Sequence, residues 1–145
     1  MKAVEEVALR IENKPGTLSV ISELLGANGI NILALTIRAE GNVGMVNFVA
    51  TDPSRVVNIL KSAGYSPSVQ QILAAETPHH PGGLNAVLKP LRRAGVNVEH
   101  LYSCIGFQGC GDRTILLLGV DKLAEAHDAL EKEWIRLYGE EIYDL

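Results

Sequence analysis

The chain has 145 residues, of which 17 are Asp or Glu and 13 are Lys or Arg, giving a formal net charge of −4. An acidic chain is a poor match for nucleic acid or an anionic membrane surface, so neither is expected as a partner. With only two cysteines, no disulfide framework is expected. Glu5 and Glu6 stand where a signal peptide needs an apolar core, and no apolar run is long enough to span a bilayer. The predicted location is the cytoplasm.

The first half of the chain alternates strand-like and helix-like patterns. Apolar and polar residues alternate up to Glu12, which predicts a half-buried strand. Pro15-Gly16 then predicts a turn, because proline suits the start of a helix and glycine adopts turn geometry easily. The elements predicted next are a helix over Thr17–Asn28 closed by Gly29, strands over Ile30–Arg38 and Val43–Thr51, a helix that Asp52 and Pro53 begin and Gly64 ends, and a strand from Tyr65 to about Gln71. This β-α-β-β-α-β order is that of a ferredoxin-like domain.

The second half repeats this order. Val69–Thr77 must supply both the last strand of the first half and the first strand of the second, so we expect one long strand there. The following elements are predicted to be a helix with an apolar stripe at Leu84, Val87, Leu88 and Leu91, strands over Val96–Ser103 and Thr114–Val120 joined by Gly106–Gly111, a helix capped by Asp121 that runs to about Tyr138 with Trp134 in its buried face, a stop at Gly139, and a short strand over Glu140–Leu145.

The two halves are copies of one another. A shift of 66 positions aligns the Pro-Gly turn at 15–16 with a second at 81–82 and gives seven identities over the 21 positions 15–35. About two would arise by chance at this composition. We therefore predict an α+β chain of two tandem ferredoxin-like βαββαβ modules, residues 1–68 and 69–145, each an antiparallel sheet covered by helices on one face. The helix residues expected in the two cores are Leu18, Ile21, Leu25, Leu84, Val87 and Leu91.

The first Pro-Gly turn has features of an anion-binding site. Gly16 has no side chain, so another group can approach its backbone closely. The amides of Thr17 and Leu18 fall at or near a helix N-terminus, where unpaired N–H groups and the helix dipole favour a carboxylate. Taken alone, such a turn is more often only structural, but its recurrence in a matched context favours a functional interpretation.

The segment Asn13–Leu18, followed by Gly29–Ile32 within the β-α-β-β-α-β order, resembles the signature of the ACT domain family of small-molecule regulatory modules. The resemblance covers the whole chain as two modules. In amino-acid-sensing members, the loop after the first strand and an asparagine of the second strand bind the ligand across an interface between modules. ACT modules usually accompany an enzyme, but the two modules account for the whole of this chain and leave nothing over for a catalytic domain. The resemblance therefore implies a free-standing, non-catalytic tandem ACT protein. It implies a ligand site at Asn13, Lys14, Pro15, Gly16, Thr17, Leu18 and Asn31.

The second copy departs from this signature. Pro90 falls inside its first helix, where it removes a backbone hydrogen bond and is expected to bend the helix. The sequence leaves three alternatives open for the second copy. It binds a different ligand, it binds nothing, or it serves only to complete the first copy's site. Its equivalents of the site residues are His79, His80, Gly82, Gly83, Leu84 and Asn97.

Other functions receive weaker support. His79, His80, His100, Cys104 and Cys110 lack the Cys-x-x-Cys or His-x-x-x-His spacing of a zinc site, so no metal or other cofactor is predicted. A Cys–His nucleophile pair has no accompanying motif, and no acid–base set emerges, so no enzyme is predicted. An RNA-recognition domain shares the element order but needs stacking aromatic residues and a basic surface. Whether the two cysteines pair is left open.

Two interpretations of function remain. The first is a regulator that binds a free amino acid at a module interface and senses its level. The alternative is an obligate regulatory or structural subunit whose modules mediate assembly with a metabolic enzyme without binding a ligand. Strands Ile30–Ile37 and Thr114–Val120 are apolar on both faces, and helices can cover only one face. The other face is expected to be covered by the sister module or another chain, so we predict a homo-oligomer, most simply a homodimer.

Overall fold

The computed structural model describes residues 1–104 and 113–144. The chain divides into two compact units. The first unit is Glu5–Gln70, and the second combines Gln71–Leu145 with the N-terminal residues Met1–Val4. Within the described ranges, no helix is long and apolar enough to cross a membrane. The predicted connection Gly106–Gly111, with Cys110, lies outside the described residues.

The first unit has the β-α-β-β-α-β order that the sequence predicts. Its elements are β1 (Val4–Glu12), α1 (Thr17–Ala27), β2 (Ile32–Glu40), β3 (Val43–Ala50), α2 (Pro53–Ser62) and the first residues of β4 (Ser68–Pro78). Strand β3 lies between β1 and β2 and is antiparallel to both. The Asp52 carboxylate accepts a hydrogen bond from the Arg55 amide at 3.4 Å and Pro53 is the first helical residue, which confirms the predicted start of α2.

The second unit repeats the pattern. Its elements are the rest of β4, α3 (Asn85–Arg93), β5 (Val98–Ser103), β6 (Arg113–Val120), α4 (Leu123–Lys132), β7 (Leu137–Tyr138) and a 3₁₀ helix (Glu140–Asp144). Strand β6 is antiparallel to β4 and β5, and β7 pairs with β4 at Ala74 and Ala75. The single continuous strand β4 confirms the expectation that one strand serves at the junction of the two copies.

Each unit has a core formed between its helices and one face of its strands. In the first unit, Ile21 and Leu25 of α1 join Val56 and Leu60 of α2 against Phe48 of β3. In the second unit, the helix residues that belong to the core are Val87, Leu91, Ala126 and Leu130. Of the six predicted core residues, four are buried as expected and Leu18 is partly buried against the first core. Leu84 is 44% exposed, so the prediction that it is buried was wrong.

Strand β6 is buried on both faces. Leu116 and Leu118 belong to the core beneath the helices, and Ile115 and Leu117, which point the opposite way, are also fully buried. Strand β2 differs, because Ile37 near its end is 44% exposed. The sequence correctly marked both strands as apolar on two faces, but the structure covers the second face of only one along its whole length.

All four described α-helices end in the same backbone turn, the Schellman motif. The residue after the C-cap has a positive φ, and the next amide bonds to the carbonyl five residues earlier, as in Ile30 N to Leu25 O at 3.0 Å. Glycine occupies the positive-φ position in three of the helices, namely Gly29, Gly64 and Gly95. In the fourth it is Trp134, with φ 60° and 95% of the residue exposed.

The C-terminal segment therefore differs from the sequence prediction. Helix α4 ends at Lys132 rather than near Tyr138, and Trp134 is exposed rather than in the core. The strand is Leu137–Tyr138, and the predicted strand over 140–145 is a 3₁₀ helix through Asp144. The apolar spacing of Leu130, Trp134 and Leu137 suggested a continuing helix, but Leu137 is buried because it belongs to the sheet.

Candidate functional site

The first Pro-Gly turn connects the end of β1 to the start of α1. Gly16 is the N-cap of α1 and has φ 92°, a left-handed conformation that glycine adopts without strain. The Asn13 side chain donates to the Gly41 carbonyl at 2.8 Å, and the Asn13 amide donates to Asn42 O at 2.9 Å. These bonds hold the turn against the β2–β3 hairpin, so Asn13 has a structural role at the site.

A cavity of about 670 Å³ lies at this turn, entirely within the first unit. Four of the predicted site residues line it, namely Lys14, Pro15, Gly16 and Thr17. The remaining lining residues are Arg10, Ile11, Glu12, Val20, Asn42, Val43 and Tyr65, which the sequence did not single out. Arg10 and Glu12 are adjacent to the motif on β1 and could have been found by extending it backwards. Tyr65 could not, because only folding brings the residue after Gly64 to the first turn.

Asn13, Leu18 and Asn31 do not line this cavity. Leu18 packs against the core beneath α1. Asn31 lies one residue before β2, which begins at Ile32 rather than at Ile30 as predicted. Its amide donates to Thr51 Oγ1 and its carbonyl accepts from the Thr51 amide, both at 3.0 Å. The role of Asn31 in binding therefore stays a prediction of the family resemblance.

The N-terminus of α1 presents unused hydrogen-bonding groups beside the cavity. Among the described residues, the amides of Leu18 and Ser19 have no backbone acceptor, and the first strong helical bond is Val20 N to Gly16 O at 3.0 Å. Thr17 Oγ1 is buried and has no partner in the same set of residues. Such amides and the helix dipole favour an anion. Rotation about χ1 of Thr17 can redirect its hydroxyl toward a group at that position.

Charged side chains line the strand side of the cavity. Lys14 Nζ lies 2.8 Å from Glu12 Oε2, and both side chains are largely exposed. The hydrogen bond from Lys14, reinforced by its charge, lowers the pKa of Glu12, and the same pair raises the pKa of Lys14. An exposed pair of this kind contributes little to stability and is easily rearranged. Both groups therefore remain accessible to a polar ligand.

The second Pro-Gly turn has a different geometry. Gly82 has φ 82°, close to that of Gly16, but α3 begins at Asn85, two residues later than the repeat predicts. Gly83 lies so close to the Pro78 carbonyl that an added Cβ would fall 2.2 Å from its oxygen. Thr77 Oγ1 donates to Gly83 O at 3.2 Å. The chain is thus packed tightly where the first turn has its cavity, and Leu84, the next residue, lies outside the core.

Two other predicted equivalents in the second copy, His80 and Asn97, make local contacts. His80 Nδ1 lies 2.9 Å from its neighbour's carbonyl, Pro81 O. The Asn97 amide donates to Asp121 Oδ1 at 2.9 Å, matching the bond between Asn31 and Thr51 in the first copy. Asp121 therefore does not cap α4, whose N-cap is Lys122. Pro90 lies inside α3 as predicted, and its ring is buried.

The residues considered for zinc do not come together in the part of the chain that the structure describes. The metal-ligating groups that cluster there are instead His127, Asp128 and Glu131, with ligand atoms within 4.8 Å of one another. The Lys2 amide donates to His127 Nε2 at 3.2 Å, which places the neutral ring's proton on Nδ1, 3.3 Å from Glu131 Oε2. Nε2 is therefore already engaged by a backbone amide and is not free to bind a metal. Burial raises the pKa of the Cys104 thiol, which disfavours a nucleophilic thiolate.

Comparisons with known proteins agree with the fold. A family model described as an ACT domain pair matches residues 2–141. No curated protein matches the sequence significantly. The structure is similar to that of protein BT0572 from Bacteroides thetaiotaomicron, with a TM-score of 0.89, 23% identity, and coverage of 99% of this chain and 97% of that chain.

Two further similar structures are regulatory subunits of aspartate kinase. The ligand-free subunit from Thermus thermophilus has a TM-score of 0.65 and 11% identity, covering 92% of this chain and 94% of that chain. The subunit from Thermus flavus has a TM-score of 0.61 and 13% identity, with the same coverage of 92% and 94%. At these identities the likeness concerns the fold, and it confirms the predicted tandem ferredoxin-like modules.

Proposed function

The chain belongs to the ACT domain-pair family, and on this premise we propose that it is a cytoplasmic, non-catalytic regulatory protein that binds a free amino acid at its first Pro-Gly turn and senses its level. The observation that carries the proposal is the cavity at that turn. It combines a helix N-terminus, one carboxylate and two cationic side chains with apolar walls. Concave sites of this composition suit small polar ligands.

The groups of the cavity complement a zwitterion. The ligand's α-carboxylate is received by the free amides of Leu18 and Ser19, with the Thr17 hydroxyl as a further donor. The α-ammonium group is received by Glu12, which exchanges its exposed pairing with Lys14 for the ligand at little cost. Asn31 lies outside the cavity lining, and its part in binding rests on the family resemblance alone.

We further propose that a second copy of the chain covers the bound ligand. Val20 lines the cavity and yet is 56% exposed, so the first unit alone leaves an apolar wall of the site open to water. A neighbouring chain seated there would exclude water from the ligand and couple binding to assembly. A two-fold dimer is the simplest closed arrangement that gives each chain the same neighbour.

The alternative is a subunit that mediates assembly with a metabolic enzyme and binds no ligand. The observation that favours it is the likeness to the Thermus thermophilus protein, which is described as the regulatory subunit of an aspartate kinase. The exposed apolar residues of β2 and β5, Ile37 and Leu101, would then contact the enzyme rather than a second copy. Recovery of one defined enzyme with the native protein, combined with no binding of any amino acid, would support this alternative.

A thermal-shift screen against the twenty amino acids tests the main proposal. A ligand at 100 times its dissociation constant should stabilise the folded protein by about 2.7 kcal/mol. Thr17→Val keeps the side-chain shape and removes the hydroxyl, so the free protein should be at least as stable while the affinity falls about tenfold. Thr36→Val, on β2 away from the cavity, is the matched control and should bind normally.

Asn31→Ala tests the residue that only the resemblance assigns. Loss of most of the ligand-induced shift in this variant, with little loss of stability in the free protein, would place Asn31 in the site. If no amino acid stabilises the unmodified protein, the proposal is wrong. If one does and Thr17→Val binds it as well as the control, ligand binding is real but occurs elsewhere.

A further inference from the structure

The charges that line the cavity are unbalanced. Lys14 and Glu12 neutralise one another, whereas Arg10 lines the same cavity with no ion-pair or hydrogen-bond partner among the described residues. One positive charge is thus left over at this site on a chain whose formal net charge is −4. The N-terminus of α1 adds the partial positive charge of its dipole. The cavity is locally cationic although the protein is acidic.

The cavity offers separate positions for two anionic groups. The first is the N-terminus of α1, where Gly16 and Thr17 line the cavity, the Thr17 hydroxyl has no partner among the described residues, and the amides of Leu18 and Ser19 lie just beyond the lining without a backbone acceptor. The second is the Arg10 guanidinium on β1, which can hold a carboxylate with two parallel hydrogen bonds. Among the described residues, Glu12 is the only carboxylate that lines the cavity; it lies two residues from Arg10 on the same face of the strand, about 7 Å away along it.

We infer that the ligand is an amino acid with an acidic side chain, of the aspartate or glutamate class. This inference rests on the proposed function and names the class of amino acid that the same site takes. The two carboxylates and one ammonium group of such a ligand match the two anion-binding positions and the one carboxylate, Glu12, of the cavity. The α-carboxylate binds at the N-terminus of α1, the side-chain carboxylate binds Arg10, and the ammonium group binds Glu12.

The other classes of amino acid leave charges of the cavity uncompensated. An aliphatic amino acid gives Arg10 no partner, and covering it would remove water from an unpaired guanidinium. A lysine-like ligand brings two ammonium groups into a cavity that already has a surplus of positive charge. Among the described lining residues, Glu12 is the one carboxylate that can pair with them. Ile11 and Val43 line the cavity as an apolar wall, which suits methylene groups and does not discriminate between charges.

Isosteric ligand pairs test this inference directly. Titration calorimetry compares glutamate with glutamine and aspartate with asparagine, which differ in charge and hardly in shape. One acidic member should bind at least about tenfold more tightly than its amide, and the preference should shrink with added salt. Arg10→Gln should abolish the preference. Arg38→Gln, an exposed arginine on β2 outside the cavity, is the matched control and should leave it unchanged.

The outcomes separate this inference from the proposed function. If a neutral or basic amino acid binds best and Thr17→Val weakens it, the protein is an amino-acid sensor and the inferred acidic class is wrong. If Arg10→Gln retains the full preference for the acidic ligand, Arg10 is not its partner and the inference fails. If no amino acid binds, both proposals fall. Circular dichroism of each variant confirms that it is folded, which is expected because Arg10 is exposed.

Discussion

Replacing Trp134 by glycine should stabilise the protein. Trp134 has φ 60° at the position where the other three described helices have glycine, and an L-residue in this left-handed conformation costs about 1–2 kcal/mol. Its side chain loses little packing on removal, since the residue is 95% exposed. Glycine gains more freedom in the unfolded chain, which offsets about 0.4–1 kcal/mol. The expected net gain is about 1 kcal/mol, or about 3 °C in Tm for a chain of this length.

Urea denaturation followed by far-UV circular dichroism measures the gain, because the tryptophan signal is lost in the variant. Trp134→Ala separates the two contributions, since alanine removes the ring but keeps the Cβ that causes the strain. It should not stabilise the protein. Gly64→Ala makes the reverse change in the first unit, where an added Cβ would meet nothing within 4 Å, so its cost of about 1 kcal/mol is that of the backbone alone.

The reasoning is refuted if Trp134→Gly is no more stable than Trp134→Ala, or if both are clearly less stable than the unmodified protein. The second result would mean that the indole contributes packing energy despite its exposure. A concentration-dependent loss of stability in both variants would instead locate Trp134 in an interface between copies of the chain.

Three further changes have defined outcomes. Gly83→Ala should lower the free energy of unfolding by more than about 2 kcal/mol in urea denaturation, because its Cβ would fall 2.2 Å from the backbone oxygen of Pro78. Gly26→Ala, inside α1 with open space around it, is the control and should raise the free energy of unfolding by about 0.5–1 kcal/mol. Equal effects would contradict the packing at the second turn. Glu6→Ala should cost about 2–3 kcal/mol because the buried carboxylate accepts bonds from two side-chain amides, and Glu6→Gln, which keeps an acceptor, should cost less. In a variant with Cys110 replaced by serine, Cys104 should react with iodoacetamide more slowly than free cysteine at pH 8, since its pKa is raised; a faster reaction would contradict its burial.

The duplicated pattern made most of the fold predictable. Apolar periodicity and the glycines after the helices are local signals, and they located α1, α2 and the hairpin strands to within about two residues. The same logic failed at the last helix because the residue that ends it is Trp134. A tryptophan at this spacing predicts a buried position in a continuing helix, whereas here it occupies the left-handed position that glycine takes after the other described helices. Nothing in the residue type indicates a left-handed conformation.

The candidate site was predictable only where it follows the chain. The turn Lys14–Thr17 was found because its residues are contiguous and repeated. Arg10 lines the cavity from β1 and could have been included by extending the motif backwards, whereas Tyr65 follows α2 in the chain and no local pattern joins it to the turn. The tight packing of Gly83 was likewise invisible, because the repeat shows matching letters while the backbone starts its helix two residues later.

Because Met1–Val4 belong to the second unit, that unit is discontinuous in sequence and the first unit is inserted within it. These first residues reach their partners only after residues 127–141 have left the ribosome, because Lys2 bonds to His127 and Glu141. A single cut between Gln70 and Gln71 therefore does not yield two complete halves. The ion pair of Lys2 with Glu141, at 3.1 Å, also holds the first residues near the 3₁₀ helix Glu140–Asp144. A circular permutant that links the two ends of the chain and opens at Gln71 would make each unit one uninterrupted stretch of chain.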